Sequence, residues 1–386
     1  MLSDSLSLHS FLHQFPKADL HYHLLGGVRM DTMLQFARKY SVELTEQQAR
    51  SYYRAFRCES GMTRGGATAQ TLLYQLMREP EDYQQVIEEV ADDAHACGVR
   101  YIEALWNPVR CQLAYGDVVQ ALAAGIDRAR QRTGVMIRLV ACIGREQSDK
   151  EALSTLENVL NLPHPYVLGL GLDCASGEVT KDCYRAIAQR VHKEKIRLSA
   201  HFSSGDQCWR DIEAAVETLQ VDRVDHGYSA IESEALVRYC AGHGVAFTVA
   251  PSNTYFVKKW PDREQWQTKH PIRAMATAGM TIIPCTDGWH LHDISSAECY
   301  RIMVEELGFD LDDVRQMMIN SLESSWLDDK ILEEWVQQWP LAFDGLRARL
   351  IWEPELCWRK VDYWKSLKQA RNSGIETPKT IEAYYK

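Results

Sequence analysis

Two histidines one residue apart, His21 and His23, are the first residues along the chain whose types and spacing could do chemistry. They end a short apolar stretch, 19–23, that predicts a β-strand. Side chains alternate across a strand, so both imidazoles would lie on the same face and could close on one metal ion. A His-x-His pair alone does not establish a metal site, because two of the 13 histidines can be neighbours by chance. A metal site would need further ligands from distant parts of the chain.

A regular alternation of strands and helices supplies the elements that would position such ligands. Short apolar stretches predict eight strands, at 19–23, 99–106, 136–143, 167–173, 196–202, 223–226, 245–250 and 280–285. Amphipathic helical stretches lie between them, for example at 117–132, 181–193, 210–219 and 233–242. Near-continuous apolar strands separated by helices require a parallel sheet that is covered on its outer face, and eight such units close into a barrel. The sequence therefore predicts an α/β fold, a (β/α)8 TIM barrel. A doubly wound open sheet is the competing topology, but no GxGxxG motif follows the first strand.

The segments outside the barrel repeat are predicted to be helical. A helix at 30–39 and a helical insertion at 45–97 follow the first strand, and the Gly/Ser/Thr-rich piece 60–68 within the insertion predicts a solvated loop or a lid. Further helices are predicted at 295–307, 311–326 and 328–339. We predict one domain over 1–386, with a barrel core at about 16–330 and a C-terminal helical extension at about 340–386. Trp352, Trp358 and Trp364 in this extension would pack a terminal helix or serve a subunit contact, which leaves a homo-oligomer open.

Composition and charge exclude several classes of function. The 386 residues carry a formal net charge of -10, which argues against a nucleic-acid surface, because phosphate binding needs a dense field of Lys and Arg. The 11 cysteines form no CxxC pair, so reduced thiols in a cytosol are expected. No basic N-terminal region precedes a long apolar run, and no apolar stretch is long enough to span a membrane. We predict a cytoplasmic protein with a small-molecule substrate, without nucleic-acid or membrane partners.

Polar residues stand at the ends of the predicted strands. His21 and His23 end the first strand, His201 and His226 lie at the ends of the fifth and sixth, and Asp287 follows the eighth. In a closed barrel these ends meet at the C-terminal mouth, where barrel enzymes place their chemistry. Imidazoles and a carboxylate suit zinc or a related divalent ion with an open position for water, whose pKa the metal lowers toward neutrality. The pattern predicts a metal-dependent hydrolase.

The remaining histidines divide into two groups. His290 and His292 follow the eighth strand closely, and the sequence leaves open whether they enter the pocket. Four others lie on predicted helices or loops away from strand ends and are expected at the surface: His95, His164, His192 and His243.

Together with their neighbours, the strand-end residues resemble the adenosine deaminase family of metal-dependent hydrolases within the amidohydrolase superfamily. The matching segments run in family order, at 16–24 (PKADLHYHL), 101–103 (YIE), 169–173, 200–201, 225–228 (DHGY), 251–253 (PSN), 286–287 and 320–323 (NSLE). The resemblance covers about residues 16–330 and implies an eight-stranded barrel with one Zn²⁺ per chain. It implies that His21, His23, His201 and Asp287 bind the zinc. It also implies that His226 orients and deprotonates the zinc-bound water, which attacks a carbon bearing an exocyclic amine.

Three positions depart from the family pattern where it matters for the substrate. Ser204 stands where the family has a glutamate that protonates the purine ring nitrogen, Leu25 replaces an aspartate that hydrogen-bonds the ribose, and Gly288 replaces a second carboxylate that reads the purine. Asp206 and Glu178 are candidate replacement general acids. Either would need a raised pKa to stay protonated near pH 7, and the alternative is that both are solvated loop carboxylates.

These observations favour hydrolytic deamination of an adenosine-like purine nucleoside, a base or a related amino-heterocycle. One alternative is hydrolysis of a different C–N or ester bond. Its leaving group would need less protonation, so the reaction would depend less on the glutamate that Ser204 replaces. Another is a catalytically silent metal-binding barrel with a binding role. Retention of His226 argues against a silent site, which has no chemical need for a base.

Overall fold

A computed structural model of the chain describes residues 5–58, 64–173, 179, 181–202, 208–252, 262 and 265–352, with the backbone alone at 54–58 and 64–69. Its centre is one eight-stranded sheet in which all neighbouring strands are parallel and follow in chain order. The strands are β1 (Lys17–His23), β2 (Val99–Trp106), β3 (Met136–Gly144), β4 (Val167–Asp173), β5 (Arg197–Phe202), β6 (Arg223–His226), β7 (Ala246–Val249) and β8 (Thr281–Pro284).

Helices surround this sheet and cover its outer face. Those up to β4 are α1 (Leu8–Gln14), α2 (Met30–Lys39), α3 (Glu46–Cys58), α4 (Arg64–Leu76), α5 (Pro80–Ala96), α6 (Tyr115–Thr133) and α7 (Asp149–Asn161). Those after β4 are α8 (Asp182–Lys193), α9 (Trp209–Glu217), α10 (Glu234–His243), α11 (Trp266–Lys269), α12 (Pro271–Thr277), α13 (Trp289–His292), α14 (Ser296–Glu305), α15 (Leu311–Glu323) and α16 (Asp329–Arg347). Short 3-10 turns span Leu24–Gly27, Pro108–Arg110 and Tyr228–Glu232.

The barrel closes between its first and last strands through a single bridge rather than a ladder. Tyr22 pairs with Asp287 in an isolated parallel bridge, and the Asp287 N–H donates to the His21 carbonyl oxygen at 3.2 Å. Asp287 lies just beyond β8, so the seam is made at the C-terminal mouth. The predicted (β/α)8 TIM barrel, with a helical insertion after the first strand and extra C-terminal helices, is confirmed.

Asp82 ties the helical insertion together at the start of α5. Its carboxylate accepts from the backbone N–H groups of Arg78 and Glu79, both at 2.9 Å, and so caps the helix. From α2, Lys39 donates to Oδ1 at 2.8 Å and the Tyr40 hydroxyl donates to Oδ2. One buried side chain therefore joins the N-terminus of α5 to the C-terminal end of α2.

Three details of the predicted helices were wrong. The helix α1 was not predicted, Gly65 and Gly66 of the predicted loop 60–68 lie inside α4, and α16 continues past Pro340 to Arg347. The buried ring of Phe343 in α16 lies 5.0 Å from the ring of Phe11 in α1, so the two segments stabilise each other. Of the predicted loop 60–68, residues 60–63 lie outside the described residues, as does the tail beyond 352. Within the described part of the chain, no helix has both the length and the apolar character needed to cross a membrane.

Candidate metal centre

Strand β1 delivers two imidazoles to the inside of the barrel mouth. His21 and His23 share a face of the strand, and their ring centroids lie 4.9 Å apart. His21 is fully buried, whereas the side chain of His23 is 21% exposed and faces the mouth. Asp19, two residues earlier on the same face, accepts from the Thr286 hydroxyl at 2.6 Å and from its N–H at 3.3 Å, which fixes the loop that carries Asp287. Burial raises the pKa of Asp19 to about 6, although these two hydrogen bonds act in the opposite direction and lower it.

The carboxylate of Asp287 lies between four imidazoles. Its Oδ1 is 3.2 Å from His21 Nε2 and 3.3 Å from His23 Nε2. Its Oδ2 is 3.4 Å from His292 Nε2 and 3.6 Å from His226 Nε2. A single carboxylate that faces so many ring nitrogens is typical of a metal centre rather than of a surface ion pair.

His201 and His226 complete the cluster from strands β5 and β6. Their ring centroids lie 4.7 Å apart, and each is 5.0 Å from the ring of His21. His226 and Asp287 both have φ of +63°, in the left-handed region that residues with a side chain seldom adopt. The turn at the end of β6 breaks the strand alternation and brings His226 to the same side as its predecessor. Strained backbone of this kind persists only where the surrounding structure fixes it, and it clusters at active sites and ligand sites.

The donor set fits a zinc ion. His21, His201, His226 and Asp287 each offer a ligand atom, and these atoms all lie within 4.8 Å of one another. Among the described residues, the Nε2 atoms of His21 and His226 and the Nδ1 of His201 are buried without a hydrogen-bond partner. Buried polar atoms are rarely left so, and nitrogen and carboxylate oxygen donors are those that zinc takes. The orphaned atoms therefore point to a cation among them.

A second group of donors adjoins the first. Asp173, at the end of β4, places its carboxylate oxygens 3.8 Å from His23 Nδ1 and 4.0 Å from His201 Nδ1. His23, Asp173 and Leu25 line a cavity whose other walls include Tyr74 and Trp106. These side chains form the wall of the mouth beside the metal centre.

The pKa values of the clustered side chains favour the binding of a cation. Burial raises the pKa of Asp287, but the imidazoles of His292, His226, His21 and His23 outweigh it and hold that pKa well below its usual range. Burial lowers the pKa of His201 and His226 well below the ordinary histidine value, so both are neutral at pH 7 and keep a free lone pair.

His21 behaves in the opposite way. Burial lowers its pKa, but the carboxylates of Asp225 and Asp287 outweigh burial and raise the pKa to about 10. Its proton would have to leave when a metal binds, because only the neutral imidazole is a ligand. Asp225 holds the Nδ1 edge of this ring, with its Oδ1 at 3.3 Å.

All five predicted site residues meet in this cluster: His21, His23, His201, His226 and Asp287. Of the pair left open, His292 joins the cluster, whereas His290 points away and lies 2.8 Å from Asp93 Oδ2 on α5. Ser204 and the two candidate general acids, Asp206 and Glu178, lie outside the described residues.

Sequence reasoning missed Asp173 and Asp225 as members of the site. Both stand at the ends of predicted strands, which was the available signal. Assigning both Asp225 and His226 to the inner side needed the turn at His226, which no local pattern shows.

A sequence model of the family described as adenosine deaminase matches residues 16–338 of the chain. The chain belongs to the adenosine deaminase family. The resemblance drawn from the strand-end motifs is thereby confirmed, together with the class of enzyme: a metal-dependent hydrolytic deaminase that acts on C–N bonds. The individual roles of the clustered residues stay predictions.

The leading curated relatives are all named adenine deaminase. An adenine deaminase from Rhodospirillum rubrum is 26% identical over 326 residues, covering 82% of this chain and 93% of the relative. An adenine deaminase from Ralstonia nicotianae is 27% identical over 334 residues, covering 83% of this chain and 93% of the relative.

Solved structures share the fold. An amidohydrolase from Burkholderia ambifaria, with bound Zn, is 31% identical with a TM-score of 0.83, covering 88% of this chain and 93% of that one. An adenine deaminase from Arthrobacter aurescens is 22% identical with a TM-score of 0.74, covering 86% of this chain and 98% of that one. One zinc ion per chain fits both this family and the donor set described above.

Proposed function

We propose that the chain is a zinc-dependent deaminase of an aminated purine base. The observation that carries the proposal is the cluster at the barrel mouth, in which His21, His201, His226 and Asp287 bring their donor atoms within 4.8 Å of one another. We assign His21, His23, His201 and Asp287 as zinc ligands. A zinc ion held there would supply Lewis acidity, which lowers the pKa of water toward neutrality.

His226 is assigned as the general base, and its hydrogen bonds support one tautomer. Its Nδ1 lies 3.2 Å from the Tyr228 hydroxyl, which donates to the Ala250 carbonyl oxygen at 3.2 Å. The same hydroxyl accepts from the Ala250 N–H at 2.9 Å, and we assign it as the acceptor from His226 Nδ1–H as well. The Nε2 atom then keeps its lone pair and faces Asp287 at 3.6 Å. A neutral, buried imidazole in this tautomer can take a proton from an attacking water.

The apolar side chain at position 25, beside the centre, supports a free base rather than a nucleoside. Leu25, which replaces the family's ribose-binding aspartate, is 5% exposed and lines the cavity with an apolar side chain. Ribose hydroxyls placed there would lose water without gaining a partner, and unpaired polar groups penalise binding strongly. The relatives named adenine deaminase agree with this choice of substrate. We propose further that the binding partner is a purine-type small molecule and that the protein acts in the cytoplasm.

Ammonia release by the zinc-loaded protein tests this function. We expect release from adenine to exceed release from adenosine and from adenosine monophosphate, and a His226→Ala variant to lose at least about 100-fold in rate, as removal of an acid-base group does. His243→Ala is the matched control, because His243 is an exposed residue of α10 whose ring stacks on Tyr239 and bonds to the Tyr239 carbonyl oxygen, one turn away on the same helix. Equal rates for adenine and adenosine would contradict the role given to Leu25, and no release from any aminated purine would contradict the function.

A different bond is the second candidate, and Ser204 is the observation that favours it. With the family's proton donor replaced, a leaving group that needs less protonation would react more easily. Silence on purines, with hydrolysis of a simple amide or ester by the same zinc-loaded protein, would support that reading. Homo-oligomerisation stays a prediction, which light scattering of the purified chain can check.

A further inference from the structure

A line of buried charged side chains crosses the barrel interior beneath the metal centre. Glu103 of β2 pairs with Arg223 of β6 at 2.7 Å, and the Arg223 Nε atom lies 3.5 Å from Asp225 Oδ1. The same Oδ1 is 3.3 Å from Nδ1 of His21. All four side chains are no more than 1% exposed. The line therefore ends on a residue that we assign as a zinc ligand.

The far end of this line is fixed at the base of the barrel. Glu103 Oε1 accepts from the backbone N–H of Trp326 at 2.7 Å and from the Tyr101 hydroxyl at 2.9 Å. The guanidinium of Arg223 lies 4.4 Å from the centre of the Trp326 ring. Trp326 follows α15, so a segment outside the barrel repeat holds the first charged group in place.

Asp225 itself is held by more than the arginine. The Thr248 hydroxyl of β7 donates to Asp225 Oδ1 at 2.7 Å. In β6, Arg223 and Asp225 are two residues apart and therefore lie on one face of the strand, which points into the barrel. With a fixed position and no exposure to water, this carboxylate can set the orientation of whatever ring it contacts.

We propose that Asp225 is a positioning residue for the metal. Held by Arg223 and Thr248, its Oδ1 lies 3.3 Å from Nδ1 of His21 and would accept the hydrogen of that nitrogen in the metal-bound protein, which leaves Nε2 of the ring unprotonated and aimed at the ion. Metal-bound histidines usually donate their other nitrogen to such a partner, and loss of the partner typically lowers metal affinity about 10- to 100-fold. This inference rests on the zinc site of the proposed function but not on its substrate.

Zinc affinity, measured by competition with a chromophoric chelator, tests the proposal directly. Full-length protein is stripped of metal and titrated with Zn²⁺ alone, as wild type, Asp225→Asn and Asp222→Asn. Asp222 is a matched control, because it stands three residues earlier and binds Arg197 and the Leu198 N–H at the opposite end of β6. We expect Asp225→Asn to weaken zinc binding about 10- to 100-fold and Asp222→Asn to leave it unchanged. Wild-type affinity in Asp225→Asn would overturn the proposal.

Two further measurements separate positioning from a merely structural role. The visible spectrum of the Co²⁺-substituted protein reports ligand geometry, and we expect it to change in Asp225→Asn but not in Asp222→Asn. If Asp225→Asn does not fold, Thr248→Val removes only the hydroxyl that holds the carboxylate, and we expect a loss of zinc affinity of a few fold with an altered Co²⁺ spectrum. An unchanged affinity and spectrum in that variant would overturn the proposal. Failure of every purine substrate would contradict the proposed function while leaving these zinc measurements intact.

Discussion

Gly26 and Gly288 meet backbone to backbone at the barrel mouth. A Cβ atom on Gly26 would lie 2.5 Å from the Gly288 Cα, and one on Gly288 would lie 2.7 Å from the Gly26 Cα. Gly288 also has φ of +133°, a conformation that residues with a side chain rarely adopt. The missing second carboxylate at position 288 thus has a physical cause, since the turn after β1 occupies the space of any side chain there.

Reinstating that carboxylate is therefore expected to damage the site rather than to restore adenosine turnover. Gly288→Asp would combine a disfavoured backbone with a steric clash and lower the free energy of unfolding by at least about 2 kcal/mol. The clash also displaces the adjacent Asp287, so we expect reduced zinc content. Gly242→Ala, which places its Cβ in open space in α10, is the control and should change stability by less than about 1 kcal/mol. Urea denaturation and metal analysis provide both readouts, and a stable, zinc-replete Gly288→Asp protein would contradict this account.

Removal of the central carboxylate should release the metal. Asp287→Ala leaves His21, His23 and His226 facing one another without the acceptor between them. We expect zinc content after dialysis to fall well below one ion per chain, because the variant loses the carboxylate that faces these three imidazoles and completes the donor set. His290→Ala should retain its zinc, since that imidazole contacts Asp93 instead. Equal zinc content in the two variants would refute the assignment.

His292 is expected to support Asp287 from its outer side. Its Nε2 lies 3.4 Å from Oδ2, and ligating carboxylates are themselves held by hydrogen bonds. His292→Ala should weaken zinc binding about 10-fold in chelator competition. An unchanged zinc affinity with a raised KM for the purine would instead show that the ring contacts the substrate.

The pH dependence of stability should contain a contribution from Asp82. Burial raises its pKa, but hydrogen bonds from Lys39, Tyr40 and two backbone N–H groups outweigh burial and lower it. A carboxylate whose pKa is lower in the folded state stabilises the fold above its unfolded pKa of about 3.9 and loses that contribution as pH falls through the folded value. We expect Asp82→Asn to lower the free energy of unfolding by about 1–3 kcal/mol at pH 7.

This difference should shrink as the pH is lowered below about 4, where the wild-type carboxylate also becomes protonated. Urea unfolding of both proteins across this pH range provides the measurement. Glu81→Gln, at an exposed neighbouring position in the same helix turn, should change stability by no more than about 0.5 kcal/mol. A difference between wild type and Asp82→Asn that persists unchanged at low pH would argue that the capping geometry, and not the charge, is responsible.

The strands and the central histidines were predictable because their signals are local. Apolar runs of four to eight residues marked every strand, and alternation along β1 placed His21 beside His23. The barrel topology then required the ends of distant strands to meet. The helix α1 gave no comparable signal, since its seven residues are stabilised by rings such as Phe343 from the other end of the chain.

The finer structure of the site depends on backbone conformation that the sequence does not display. His290 and His292 are equally close to β8, but two residues along a helix amount to a rotation of about 200°, so only one of them faces the metal centre. His226 lies on the same side as Asp225 because the left-handed turn at His226 breaks the alternation of the strand. Neither outcome follows from residue type and spacing alone.

The seam between β1 and β8 also determines when the centre can form. Its two edges carry His21 and Asp287, which come from opposite ends of the barrel sequence. A bridge, one backbone hydrogen bond and the bonds of Thr286 to Asp19 join these edges. During synthesis the first strand leaves the ribosome long before its final neighbour exists, and such distant contacts form late. The newly made chain therefore cannot assemble its full set of ligands until the last strand has emerged, so that metal uptake coincides with completion of the barrel.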